Sequence, residues 1–298
     1  MEKMLTKDNF VKAEKLMAKN KKHNRKAQHI KEHAEEYAER LLAKVQKGYE
    51  WHPYREVTIK ASYKGKERNL KIPCLEDQVA QVAWLNIAIP YIEKRNYYYN
   101  CGSIPKAGQT RSVNAVKKWL KKPNMKYGAV LDIRKFYDSI PHFTIKQGLE
   151  RIFKDKDFIE YAMGFVSSMS DEDYGLAIGY PSSHWLANVA LMELDHAIVK
   201  ETNYTRYMDD MVLVSSNKRK LKRTVQLVKS WIEEKGMGLR KWASFPIKGR
   251  GITFLSYRFF NGYTILAKKL MYRIARRIRK AKENMSRHIA CGVVSYLG

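Results

Sequence analysis

Apolar and polar positions in this chain repeat with two periods, and the changes between them mark out its elements. Residues 1–48 are dense in Lys, Glu, His and Ala with almost no Gly or Pro, and apolar positions 34, 37, 38, 41, 42 and 45 fall on one helical stripe. A helix packed against the rest of the chain is expected there. From Trp51 to Pro73 the period becomes two, and 56–61 and 68–72 read as antiparallel strands around Tyr63-Lys64-Gly65-Lys66. Pro73 then opens an apolar helix with Glu76 and Asp77 near its positive end. A loop punctuated by Gly and Pro, 97–111, leads into a helix beginning near Ser112. Tyr127–Ile133 is an apolar run with Asp132 at its end, followed by aromatics and a turn into a helix. Asn203–Val214 is polar and aromatic before Asp209-Asp210 and apolar and β-branched after them, which predicts a hairpin with both carboxylates at its tip. Lys218–Trp231 reads as a basic amphipathic helix, with a turn into a strand at Gly236–Lys241. Residues 265–289 read as a helix whose single apolar stripe is Leu270, Ile274 and Ile278.

Charge narrows the class of partner. The 298 residues carry 57 Lys+Arg against 30 Asp+Glu, a formal charge of +27. Such an excess repels itself unless a polyanion is bound, so nucleic acid is the expected partner and a membrane surface its rival. No run of 18 apolar residues and no signal-peptide core is present, so neither a span nor secretion is expected, and a cytoplasmic location is. Cys74, Cys101 and Cys291 are too few and scattered for zinc or disulfides and read as reduced thiols filling the core. Lys19, Lys21, Lys22, Arg25 and Lys26 read equally as a phosphate-tracking strip or a solvated face. His23, His29 and His33 lack the carboxylate or Cys framework of a metal site.

An Asp-Asp turn by itself is ordinarily a solvated turn. If the strand ending at Asp132 lies beside the hairpin, however, three carboxylates converge, and at neutral pH such a group needs divalent metal. Two Mg²⁺ ions about 3.5–4 Å apart, held this way, activate an attacking hydroxyl and stabilise leaving pyrophosphate. That is the chemistry of nucleotidyl transfer.

Four segments resemble the reverse transcriptases, in that family's order, between about residues 70 and 260. Asp132-Ile133-Arg134-Lys135-Phe136-Tyr137-Asp138-Ser139-Ile140 resembles the first catalytic strand, and Tyr207-Met208-Asp209-Asp210 the catalytic box. Gly175–Asn188, with Leu191–Asp195 after it, resembles the loop and helix under the template and incoming nucleotide. Phe254–Phe259 resembles the primer grip.

The resemblance implies an α+β right-hand polymerase: a basic helical extension at 1–50, fingers at 51–125, an antiparallel palm at 126–262 with finger elements around 140–175, and a short helical thumb at 263–298. It implies an RNA-directed DNA polymerase using two Mg²⁺, or Mn²⁺ as a substitute, held by Asp132, Asp209, Asp210 and the backbone carbonyl of Ile133. Lys241 falls close to a lysine that protonates pyrophosphate. Asp138 is expected to cap the following helix. Lys106 and Arg111, at a helix start suited to a triphosphate, together with Arg134, Phe136, Tyr137, Ile178 and Gly179, are the expected nucleotide contacts. Ser183, Asn188, Tyr207, Met208, Leu255, Ser256, Tyr257, Arg273, Arg276, Arg277 and Lys280 are the expected nucleic-acid contacts. Tyr137, packed under the sugar, would exclude a 2′-hydroxyl and select dNTPs. The partners implied are an RNA template, specifically a dedicated non-coding RNA, DNA as product or primer, and dNTPs; relatives continue where this chain stops, so either an accessory protein completes the thumb or the thumb is minimal. Nothing after Phe260 resembles an RNase H domain.

Two departures refine the resemblance. Gln78 stands where the family usually has Arg, and Ile178 where retroviral and group II intron enzymes have Gln. With Ser183-His184 in place of a Ser-Pro pair, the chain looks most like the reverse transcriptases of diversity-generating retroelements and their phage-defence relatives. Loss of a polar contact to the nascent base pair predicts low fidelity. Two other readings stay open: untemplated or protein-primed DNA synthesis by the same fold, and a catalytically silent nucleic-acid-binding scaffold, against which the three intact carboxylates argue.

Overall fold

A computed structural model describes residues 1–60 and 67–283. The expected hairpin turn at 63–66 and the end of the basic helix, with Cys291, lie outside the described residues. The chain opens with α1 (Lys7–Ala18), α2 (Arg25–Glu32) and α3 (Ala34–Lys47). Helical periodicity alone did not divide them. The breaks come from caps: the Thr6 and Asn24 side chains accept the amides of Asn9 and Ala27 and start the first two helices, and His33 ends the second. Met4, Phe10 and Ala13 are fully buried, and Asn9 bonds the carbonyls of Met4 and Ala83. The N-terminal helices are therefore part of the main core.

The hairpin β1 (Arg55–Lys60) and β2 (Glu67–Ile72) pairs Arg55 with Ile72 and Lys60 with Glu67. Helix α4 (Leu75–Arg95) follows, capped by the Cys74 sulfur on the Asp77 amide, and α5 (Gly108–Leu120) starts four residues earlier than its pattern suggested. Then come β3 (Tyr127–Ile133), the short α6 (Phe136–Ser139), α7 (His142–Ile152), α8 (Lys156–Ser167), α9 (Ser183–Ala190) and α10 (Met192–Val199). The strands β4 (Asn203–Tyr207) and β5 (Asp210–Ser215) form the predicted hairpin. They are followed by α11 (Lys218–Glu234), β6 (Leu239–Pro246), β7 (Ile252–Phe254), β8 (Tyr257–Phe259), β9 (Thr264–Leu266) and α12 (Lys268–Glu283).

Four strands form one antiparallel sheet in the order β4-β5-β3-β6, with β3 at its centre. Side chains alternate across it. Ala129, Leu131, Ile133, Met211 and Leu213 enter the main core with the helices, while Val212 and Val214 enter a second core with α5 and the small β7-β8-β9 sheet. Asp132 and Asp210 continue the second face at the strand ends. Burial of both faces explains why β3 and β5 read as nearly continuous apolar runs. This is the α+β right-hand polymerase architecture.

Candidate active site

Strand register puts three charged residues in one row. Asp132 on β3 is the partner of Asp210 on β5 and of Lys241 on β6. Paired residues share a sheet face, so Asp210, Asp132 and Lys241 stand side by side. The turn between β4 and β5 consists of Met208, held at a left-handed φ of 56°, and Asp209, whose carbonyl accepts the Ile133 amide at 3.3 Å. That bond stitches the acidic turn to the acidic strand end. Asp210 is pushed up to about 6, first by burial and then by Asp209 and Asp132, against the pull of Lys241 and Arg240.

Arg240 was not anticipated. Register passes from Asp132↔Lys241 directly to Ile133↔Leu239, which leaves Arg240 as the extra residue of a bulge. Its Nε donates to Asp132 Oδ1 at 3.0 Å and its Nη2 to Oδ2, a bidentate fork on a buried carboxylate. Both oxygens of Asp132 are thus engaged by the chain's own cation.

Beneath the turn lies a buried polar frame. Arg206 and Asp195, both fully buried, form a bidentate pair with contacts at 2.8 and 2.5 Å. Arg206 Nη1 also donates to the Met208 carbonyl at 3.1 Å and to Asn188 Oδ1 at 3.2 Å. Asn188 in turn donates to the Gly102 carbonyl at 3.0 Å. Gly102 lies so close to the turn that a Cβ there would stand 2.4 Å from the Met208 nitrogen. Ser183 and Asn188, expected at nucleic acid, have their side chains turned into the fold. Asn188 is spent on this frame, and Ser183, also buried, donates to the Ala177 carbonyl at 2.6 Å. Phe136, expected at the nucleotide, is likewise a core residue. Asp138 sits inside α6 and caps nothing, because α7 begins at Pro141 without a side-chain cap.

Tyr137 is half-buried and packs against Phe136 with ring centroids 5.5 Å apart. Its hydroxyl is pushed up to about 12 by burial and by Asp209, with Arg68 pulling it down. Arg68 is a second residue the sequence did not single out. The hairpin is fixed there by Lys71, whose amide donates to the Ile178 carbonyl at 3.0 Å, and Gly179 packs on the Lys71 backbone so tightly that a Cβ would lie 2.5 Å from its oxygen. Ile178 is half-buried and Gly179 exposed beside β2. Arg134 is exposed, with its amide bonded to the Gly238 carbonyl.

Lys106 and Arg111 line one cleft at the start of α5. Arg111 is stacked 4.5 Å from the Tyr98 ring and donates to the Lys106 carbonyl at 3.2 Å. Leu255 and Ser256 form the β7–β8 turn with φ of 46° and 69°, Ser256 exposed, and Tyr257 begins β8. Arg273, Arg276, Arg277 and Lys280 all lie on α12. At the start of α4, Gln78 accepts from Lys21 Nζ at 2.5 Å, so a cation from the loop between α1 and α2 stands beside the position where the family's Arg is missing.

The residues suit divalent metal in donor type, being hard carboxylate oxygens of which one is destabilised by the other two. They are not closed around one point. Among the described residues, the groups whose ligand atoms lie within 4.8 Å of one another are His29–Glu32–His33 and His52–Cys74–Asp77. Glu32 supplies the carboxylate missed beside the histidines, and Cys74 is a helix cap rather than a core filler.

Sheet order, acidic row and stitched turn together define the palm of a right-hand polymerase. Residues 60–259 match the reverse transcriptase (RNA-dependent DNA polymerase) family, and the chain belongs to that family of nucleotidyltransferases. Among solved structures it is similar to apo telomerase from Candida tropicalis truncated from its C-terminal domain, with a TM-score of 0.56 and 15% identity over 78% of this chain and 59% of that one. It is also similar to telomerase from Candida albicans in complex with the TWJ fragment of telomeric RNA, with a TM-score of 0.53 and 12% identity over 74% and 46%. At these identities the likeness is one of fold. The chain spans about half the length of those telomerases. No curated protein matches it in sequence. No helix among the described residues is long and apolar enough to cross a membrane.

Proposed function

We propose that the chain copies RNA into DNA by extending a DNA or RNA 3′-hydroxyl with dNTPs, and that its template is a dedicated non-coding RNA. The observation that carries this reading is the row Asp210–Asp132–Lys241 beside the stitched Asp209 turn. Asp132, Asp209 and Asp210 with the Ile133 carbonyl would hold two Mg²⁺ ions, or Mn²⁺, which when bound would supply hydroxyl activation and charge neutralisation at the transferred phosphate. Lys241, next to Asp132 in the register and exposed, holds the proton that the departing pyrophosphate takes up. Tyr137 closes the space a 2′-hydroxyl needs, and Arg68, beyond it, faces the triphosphate. Residues 51–125 serve as fingers, 126–262 as palm and the helix from 268 as thumb. The apolar Ile178, with Ser183-His184 after it, favours a low-fidelity enzyme of the diversity-generating or phage-defence kind.

The test is labelled dNTP incorporation by protein purified with its retained RNA, in wild type, an Asp209→Ala, Asp210→Ala variant and Tyr137→Ala. DNA complementary to the retained RNA, abolished in the first variant and joined by rNTP incorporation in the second, is expected. Aspartate-dependent product without a complementary template would replace this reading with untemplated or protein-primed synthesis. No product from any of them would leave a binding scaffold.

A further inference from the structure

One buried carboxyl group has no part in the mechanism above, and one of its oxygens is left without a hydrogen-bond partner among the described residues. Glu14 on α1 is 1% exposed, and its Oε2 has no hydrogen-bond partner. Burial pushes it up to about 8, with Arg40 pulling the other way. Folds rarely leave a buried carboxyl unpaired without a use. Glu14 stands in the wall of a cavity of about 310 Å³ between the N-terminal helices and the first turns of α4, a size at the lower end of small-ligand sites. Leu41 and Val79 supply apolar wall. Arg40 lies 4.4 Å over the Tyr37 ring, and Lys44 pairs with Glu76 at 2.7 Å. An adjoining cleft shares Ile30 and Tyr37 and carries Arg25 and Lys26 on its rim.

We propose that this cavity binds one unpaired guanine base, read by Glu14 and stacked on the Tyr37–Arg40 platform. Aromatic and guanidinium planes are the usual seats of splayed bases, and the basic rim suits the flanking phosphates. An ionised carboxylate only accepts. Guanine presents two adjacent donors, N1–H and N2–H, on its Watson–Crick edge. Adenine and cytosine set a ring-nitrogen acceptor beside their amino group, and uracil sets one donor between two carbonyls. Two N–H bonds also favour the charged form of Glu14 against burial. A protonated Glu14 would instead complement adenine or cytosine, so the base chosen separates the two states. The guanine arrives in an RNA strand, which rests on the RNA-copying reading, or as a free nucleotide.

Labelled uridine pentamers with a central G, A, C or U are titrated by fluorescence anisotropy into the full chain as wild type, Glu14→Gln and Arg40→Ala, and GMP is titrated by calorimetry. The G pentamer is expected to bind on the order of tenfold tighter than the U pentamer. Glu14→Gln, near-isosteric and neutral, should melt no lower than wild type and should abolish that advantage while leaving U-pentamer affinity unchanged. Arg40→Ala should weaken the G pentamer more than the U pentamer. Comparable GMP binding, lost in Glu14→Gln, would identify the free nucleotide as the source, and a preference seen only in the pentamers would identify RNA. Equal affinity for all four pentamers with no GMP binding, a G preference undiminished in Glu14→Gln, or a preference for A or C overturns the inference. If wild type binds no pentamer, RNA is excluded as the source, the RNA-copying reading is still decided by dNTP incorporation, and the GMP titration decides the cavity.

Discussion

Asp210 is half-buried beside two other carboxylates, and its carboxyl is pushed up to about 6 from an ordinary 3.8. A raised value in the folded state means that folding favours the protonated form. Its contribution to stability is therefore complete below about pH 4 and lost as pH rises through about 6. Without divalent ions at pH 7.5, Asp210→Asn should melt above wild type, by about 1–2 kcal/mol or a few degrees once partial exposure is allowed for. Thermal scans should show that gain vanish at pH 4 and shrink on adding Mg²⁺, and an unchanged melting temperature at pH 7.5 would contradict it. Arg240 is the natural competitor of metal at the same row, since it occupies both oxygens of Asp132 from an exposed position. With its Arg240 side open to solvent and its Asp132 side buried, the pair is worth on the order of 1 kcal/mol net. Arg240→Gln should therefore tighten Mn²⁺ binding by roughly threefold to fivefold, read by electron paramagnetic resonance without nucleotide. Weaker Mn²⁺ binding in the variant would mean that Arg240 helps hold the site open.

The catalytic turn is built by elements meeting edge to edge, and that is where its precision resides. The loop before α5 adds to the edge of β4, with Cys101 donating to the Arg206 carbonyl and Arg206 to that of Tyr99. Gly102 then has to pass against Met208. A methyl group at that position meets the Met208 backbone, which cannot yield as a flexible side chain would. Gly102→Ala should keep the fold by circular dichroism yet lower kcat on the order of 100-fold, because a displacement of about 1 Å in a positioned site has that effect. Wild-type turnover would show that the turn adapts. The strands of the β1-β2 hairpin and of the four-stranded sheet, with the aspartates at their ends and turn, were legible in the sequence, because period and turn chemistry are local signals, whereas β7, β8 and β9, three residues each, are too short to show a period. Arg240 was not, because a bulge is a property of two strands in register. Nor was the burial of Asn188 and Ser183, because polar residues in a loop-and-helix motif read as surface until the partners of their side chains are known. Arg68 was hidden for the same reason, since its influence on the Tyr137 hydroxyl depends on where the β1-β2 hairpin is held in the fold.

At the scale of the whole molecule, the charge of +27 is distributed along most of the chain, and α12 is its most one-sided helix, with eight Lys and Arg against one Glu where α11 has six against two. Its Lys and Arg surround a thin apolar stripe, whereas the exposed cations of α11 sit behind a face buried on the palm. Nucleic-acid affinity therefore has two separable parts. Each cation that neutralises a phosphate releases counterions and adds about 0.7–0.9 to the slope of log affinity against log salt. If α12 follows the duplex backbone, replacing Arg273, Arg276, Arg277 and Lys280 together with Gln should flatten that slope by roughly three for a primer–template duplex. The loss of affinity should be largest at low salt and should not depend on sequence, because these residues meet phosphate rather than bases. Titrations of wild type and variant between low and moderate salt decide the matter. An unchanged slope would move the phosphate contacts off α12 and onto the N-terminal helices or α11, where the same substitutions can be repeated.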